Sequence, residues 1–242
     1  MLEKTKAIVL HAIRQGESSL IVQCFTKKWG RLSFLVKGAR KTKKNSKANL
    51  FQPLFILDLD IYFKENRDLQ WIKEVSLAEP LNSLQQDISK SAQAIFIAEV
   101  LSKTLREEEQ NRALFSFLET SIRYLDTLDA ASASFHLLFL FQLSKHLGFG
   151  PQNNYSDEKK FFDLNFGSFS DVPGSSDLLK EEDLGQFWKS CFSNSYDQIS
   201  TLLSNQSSRN VFLDSILDFY DCHLSNMKQI KSVEVLRTIF SS

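Results

Sequence analysis

Apolar side chains along this 242-residue chain recur every second residue as far as about Leu81, and at helical spacing from Ser83 onward. A strand alternates its two faces, whereas a helix returns to one face every three to four residues, so neither pattern can settle as the other. Strands followed by helices make an α+β protein, and five strands in so short a stretch suggest a small closed or partly closed barrel. The expected strands are 6–13, 19–26, 31–37, 55–63 and 69–75. In the third, Leu32, Phe34 and Val36 alternate with Arg31, Ser33 and Lys37. In the fourth, Phe55, Leu57, Leu59, Ile61 and Phe63 alternate with partners that include Asp58 and Asp60. The turn from Lys27 to Gly30 supplies a glycine for positive φ between the second and third.

The first helix is expected at 83–106, opened by a capping box of Ser83 with Gln86 and carrying the stripe Ile88, Ala92, Ile95, Ala98. A second at 111–128 places Leu114, Leu118, Ile122 and Leu125 on one face. A third at 131–147 is apolar almost all round from Phe135 to Phe141, as a central buried helix would be, and Gly148, Gly150 and Pro151 end it. Residues 153–176 read as a polar, aromatic-spotted loop, and further helices are expected at 180–192, 210–225 and 233–240. The domains are then 1–80, a barrel, and 81–242, a helical domain with an irregular loop at about 148–176.

Net charge is zero, but its distribution is not even. Residues 1–50 hold 12 Lys and Arg against Glu3 and Glu17, a balance of +10, so the remaining 192 residues carry −10. Six of those cations, Lys37, Arg40, Lys41, Lys43, Lys44 and Lys47, fall in the eleven residues that join the third and fourth strands. Such a segment cannot build a core, and its side chains suit a regularly spaced polyanion whose phosphates they neutralise without reading bases. Arg14, Lys27, Lys28 and Arg31 lie on neighbouring strands or turns and extend the expected nucleic-acid-binding patch. Trp29 offers a stacking surface, while Phe34 is expected to point inward. A membrane surface fits less well, because no amphipathic helical pattern accompanies the lysines.

Enzyme signatures are absent. There is no phosphate loop, and His11, His136, His146 and His223 have no metal-ligand spacing, so structural roles are expected for all four, with His146 in a last helical turn. Asp58 and Asp60 share a strand face that could hold Mg²⁺ in a nuclease, but a solvated outer barrel face is the reading preferred. Cys24, Cys191 and Cys222 are far apart and write neither a disulfide framework nor a zinc site; Cys24 reads as core. No apolar run approaches a membrane span, the N-terminal MLEKTKAIVLH is too short in its apolar part for a secretory signal, and a cytoplasmic location is expected.

The stretch "TKAIVLHAIRQGESSLIVQCFTKKWGRLSFLVKGARKTKK" from Thr5, with "LFQP" at Leu50–Pro53, "LGFGP" at Leu147–Pro151 and "CHLSNMKQIKSVEVLRTIF" near the C-terminus, resembles the RecO family of bacterial recombination mediators. The resemblance covers most of the chain, and "KGAR" followed by a basic stretch and Q-P is its most specific part. It implies an N-terminal OB-fold barrel followed by an α-helical domain. It further implies a non-enzymatic protein that binds single- and double-stranded DNA and anneals complementary strands. With the partner RecR, such a protein helps load the RecA recombinase on strands coated by single-strand-binding protein (SSB), and it is nucleoid-associated when bound to DNA. Many relatives carry a four-cysteine zinc motif just after "LGFGP"; here that region has no cysteine, so no zinc is carried over. Phe161, Phe162, Phe166 and Phe169 are the expected substitutes, burying apolar area where a metal would cross-link. The family also docks the SSB C-terminal tail on its helical domain, where Arg123 and Lys145 are candidates. From the residues alone an RNA-binding OB protein of translation or RNA folding stays open, since phosphate contacts serve either polymer.

Overall fold

The computed structural model describes residues 1–39, 47–105, 109–128, 133–172, 182–193, 203, 205–224, 227 and 229–241. They form two compact units, Met1–Thr127 and Leu128–Ser242.

The first unit is built on strands β1 (Leu2–Gln15), β2 (Ser19–Thr26), β3 (Gly30–Val36), β4 (Ile56–Tyr62) and β5 (Leu69–Leu77). They close into a barrel in the order β1-β2-β3-β5-β4, antiparallel throughout except where β3 meets β5. This is the five-stranded OB arrangement. One long strand makes the closure: β1 pairs with β4 through Leu2–Ile8 and with β2 through Ala7–Gln15, with a bulge between Val9 and His11. Bulges add the local twist that a small barrel needs. The inward residues Phe34, Val22, Cys24, Leu57, Leu59 and Ile61 are buried, as their alternation requires. Ala7, Ile8, Val9 and Leu10 break the alternation and are all buried, because helix α2 packs against β1 from outside. Burial pushes the Cys24 thiol well above its usual range. Gly30 begins β3 at φ 62°. The "LFQP" segment turns before β4, where Leu54 takes φ 64°, a strained value for leucine, while its side chain is buried.

Three helices complete this unit: α1 (Asn82–Gln86), α2 (Ile88–Thr104) and α3 (Arg112–Thr127). The single helix expected from Ser83 is interrupted at Asp87, whose carboxylate accepts from the backbone N–H of Ser89 at 2.7 Å and Lys90 at 3.1 Å and so opens α2. The Ser83–Gln86 capping box is not formed; Leu81 precedes α1 without a side-chain cap, and the Ser83 hydroxyl accepts from the buried Lys90 ammonium instead. The expected stripe faces the core only in part. Ala92 and Ala98 are buried, but Ile88 and Ile95 are exposed, and Phe96, Ile97, Val100 and Leu101 are buried instead. Helix α3 presents Leu114, Leu118, Ile122 and Leu125 inward as its spacing predicts, with Asn111 capping it through Leu114 N.

Within this unit the helices pack on the barrel. Arg31 donates to the carbonyls of Ser102 and Leu105, both at 3.0 Å, and to Gln23 Oε1 at 2.9 Å, tying β3 to the end of α2. Phe25 lies against Phe115, and Lys6 meets Glu119 at 3.5 Å.

The second unit holds α4 (Phe135–His146), a short hairpin of β6 (Phe161–Asp163) and β7 (Ser168–Ser170), α5 (Glu182–Ser193), α6 (Gln206–His223) and α7 (Ser232–Ile239). Every residue of α4 from Phe135 to Phe141 is buried, as its unbroken apolar run implies. The Tyr220 hydroxyl on α6 donates to Leu140 O at 2.7 Å. Gly150 is required by space, since a Cβ there would stand 2.6 Å from the Lys145 side chain. The centre is Trp188, which stacks on Phe162 with ring centroids 4.1 Å apart, meets Phe212 and Phe219 edge-on, and donates from Nε1 to Ser215 Oγ at 3.1 Å.

The hairpin was not visible in a region read as loop, since strands of three residues are too short to show alternation. Its turn is held by the Asp163 carboxylate, which accepts from Asn165 N and Phe166 N, and Asn154 clamps Phe169 through both its amide groups. Of the four phenylalanines expected to stand in for a metal, Phe162 and Phe169 are buried and pack edge-on at 5.0 Å, and Phe161 is half-buried. Phe166 is 77% exposed at the hairpin tip and fills no such role.

Candidate nucleic-acid interface

The basic segment leaves the barrel where β3 ends. Val36 is buried, Lys37 is exposed beside it, and Gly38 turns the chain at φ 67°. Ala48 N then donates to Ala39 O at 3.2 Å, which draws the outgoing and returning ends into one neck. Arg40, Lys41, Lys43 and Lys44 lie outside the described residues. Lys37 and Lys47 line a cleft of about 140 Å³ together with Leu35, Trp71, Ile72 and Lys73.

Trp71 carries cations at close range. The Lys37 Nζ is 4.8 Å from its ring centroid and the Arg67 guanidinium carbon 5.6 Å, within the range of cation–π attraction. Arg67 sits on the turn between β4 and β5, and buried Gln70 shapes that turn. Its amide donates to Lys64 O at 2.8 Å and Arg67 O at 2.9 Å, and accepts from Lys64 N at 3.0 Å. Trp71 is 46% exposed, as is Tyr62, its direct cross-strand neighbour on β4.

Trp71, Tyr62, Arg67 and Lys73 escape a reading based on charge runs. Tyr62 was legible, because the alternation of 55–63 puts it outward with Asp58 and Asp60. Trp71 was not. Counted back in steps of two from the inward Val75, it falls on the inner face. A bulge reverses the phase: Asp60 pairs with Glu74 while Ile61 pairs with Ile72, leaving Lys73 as the extra residue. Lys73 and Glu74 are therefore both exposed, and Trp71 turns outward.

The other expected contacts are scattered. Arg14 is exposed near the end of β1, opposite Leu20. Lys27 and Lys28 are exposed at the opposite end of β3 from Lys37; Lys28 pairs with Glu3 at 3.0 Å. Trp29 beside them lies flat on Phe63 with centroids 4.4 Å apart, so one face of its ring is already covered. Arg31 spends its guanidinium on α2, and Phe34 is fully buried.

Asp58 and Asp60 face an open cavity of about 580 Å³ shared with Lys4, Lys6 and Glu74, and Asp60 lies 3.7 Å from the Lys4 ammonium. Among the described residues no three His, Cys, Asp or Glu side chains converge to hold a metal ion. Burial holds His136 down at about 3, with Arg209 adding repulsion, and His223 meets Leu164 O at 3.0 Å. His146 is also held below its usual value, by burial and by Lys145. Arg123 is engaged by Glu79 at 2.7 Å and Glu119 at 2.8 Å, which raise its pKa. Lys145 lies 4.5 Å above Phe141 and 5.6 Å from Phe192, and burial lowers its pKa. No described helix is long and apolar enough to cross a membrane.

Residues 1–81 match the family model described as "Recombination protein O N terminal", and residues 85–176 match "Recombination protein O C terminal". The chain is 39% identical over 239 residues to the "DNA repair protein RecO" of Flavobacterium psychrophilum, covering 98% of this chain and 99% of that protein. Over 242 residues it is 36% identical to the protein of the same name from Bacteroides fragilis, with 99% and 100% covered. The Porphyromonas gingivalis counterpart is 30% identical over 246 residues, with 99% and 100% covered.

Proposed function

The chain belongs to the RecO family, and on that premise we propose that it serves DNA repair by binding DNA on its barrel, without an enzymatic step. The observation that carries this is the placement of the basic segment. Its neck closes at Ala39 and Ala48 beside the Lys37–Trp71–Lys47 cleft, which sets the two described cations of the segment next to an exposed aromatic surface. Neutralising the phosphates of two strands lowers the repulsion that opposes their pairing, and counterion release drives the association. Annealing of complementary strands is the activity such a surface supports. Together with RecR it helps load RecA on SSB-coated strands, and its helical part offers the surfaces for protein partners. The Phe162–Phe169–Trp188 cluster supports a reading in which apolar burial holds this region where relatives use a metal cross-link.

Fluorescence anisotropy with a labelled single strand at several salt concentrations tests the binding role. Lys41→Ala with Lys43→Ala and Lys44→Ala should lower affinity and flatten the slope of log K against log salt by about 2, at roughly 0.7 per phosphate contact. An unchanged slope would remove the segment from the interface. Strand annealing on SSB-coated oligonucleotides without ATP tests the wider role. Competition with RNA of the same sequence settles the polymer.

A further inference from the structure

We propose that the outward row centred on Tyr62 and Trp71 is a stacking platform for unpaired bases, so that the barrel grips a single strand by its bases as well as its phosphates. This rests on the DNA-binding reading above and names the form of nucleic acid that the same face takes.

The row follows from the pairing register. Leu2 stands opposite Tyr62, Tyr62 opposite Trp71, Trp71 opposite Leu35, Leu35 opposite Ile21, and Ile21 opposite Ile13. Side chains directly opposite one another on a sheet lie within contact distance. The row therefore winds across all five strands and returns to β1 eleven residues further along. Leu2, Tyr62, Trp71 and Ile13 on it are large and exposed, while Leu35 and Ile21 are half-buried. A contiguous apolar row on the outside of a sheet is a mark of an interaction surface.

The occupant is set by what surrounds the row. Lys37 and Arg67 reach over the Trp71 ring, and Lys47 and Lys73 share its cleft. Lys73 is within 3.8 Å of Glu74, which draws that acid aside. Flat rings with cations beside them match a strand that presents bases and phosphates in alternation. Base pairs of a duplex have their faces covered by stacking, so only unpaired bases can use the rings. Trp29 makes the contrast: it has a lysine beside it too, but Phe63 already occupies one side of its ring.

The test compares the full-length protein on three fluorescent probes of about twenty nucleotides: oligo-dT, an abasic strand with the same phosphates, and a duplex. Wild type should prefer oligo-dT over the abasic strand. Trp71→Ala should weaken oligo-dT binding about tenfold and leave the abasic strand and the duplex within twofold, with Trp71→Phe restoring most of the loss. Tyr62→Ala should act in the same direction. Circular dichroism of each variant establishes folding. Equal affinity of wild type for dT and abasic strands, or equal losses on both in Trp71→Ala, would overturn the platform while leaving the phosphate reading intact. No effect of Trp71→Ala on any probe would also overturn it and assign the row to a protein partner. Failure of wild type to bind any of the three would remove the DNA-binding reading itself.

Discussion

Trp71 and Trp188 are the same residue put to opposite uses. Trp188 lies wholly inside the second unit, with Phe162, Phe212 and Phe219 around it and its indole N–H satisfied by Ser215. Trp71 stands nearly half-exposed on the first unit, with Lys37 and Arg67 for company. Buried aromatic area holds a fold together, while exposed aromatic area beside cations is held in readiness for something outside. The difference runs through each unit's polar groups as well. The second keeps its buried groups uncharged: burial takes His136 down to about 3, Cys191 up to about 12 and Tyr220 well above its normal range. The first binds its helices to its barrel with ionised side chains, Arg31 on two carbonyls and Lys6 on Glu119.

Replacing the two tryptophans separately tests this contrast most severely. Trp188→Ala should cost about 3–5 kcal/mol of stability in urea unfolding, the usual range for emptying a large buried aromatic site. Trp71→Ala should stay within about 0.5 kcal/mol, as surface changes do. Similar costs for both would break the comparison. Next in size is acid. His136 is neutral in the folded unit but takes a proton near its ordinary 6.5 when unfolded, so its contribution is complete above 6.5 and declines as pH falls toward about 3. Wild type should lose about 2 kcal/mol more than His136→Gln between pH 7 and 5 in the same urea titration. Equal losses would show that His136 is protonated in place.

Arg31→Ala should destabilise the first unit by about 1–3 kcal/mol through the orphaned carbonyls of Ser102 and Leu105. The salt slope of DNA binding should not change, whereas a fall of about 0.7 would move Arg31 from framework to phosphate contact. The smallest effect should come from Phe166→Ala. At the open hairpin tip it should shift the urea midpoint by less than the equivalent of about 0.5 kcal/mol, against several for buried Phe162→Ala.

Much of the fold was legible because the two periods are hard to confuse over long elements. Strand β2 and helix α3 lie within a residue or two of their expected bounds, and the uniformly apolar α4 is buried as read. What escaped depended on partners distant in sequence. Which face of α2 turns inward is set by its packing on β1, which leaves Ile88 and Ile95 outside, and nothing local shows that Arg31 will find the end of α2. The site divided along the same line. The cations were visible as composition, but the direction of Trp71 hangs on one extra residue in β5, which alternation counted along a single strand cannot reveal.

Closure of the barrel has a further consequence, for behaviour at high concentration. A sheet that presents Leu, Tyr and Trp to water would normally invite another copy to add a strand along its rim. Here β3 and β5 seal that rim, so each of the five strands has a neighbour on either side. The pairing of β3 with β5 spans Ser33–Leu35 and Leu69–Trp71, and the separate sheet of β6 and β7 has strands only three residues long. Among the described residues, sticky side chains are thus displayed on a barrel whose free edge is reduced to the parts of β3 and β5 beyond their three-residue pairing, which leaves little backbone to template fibres while the surface stays open to a ligand.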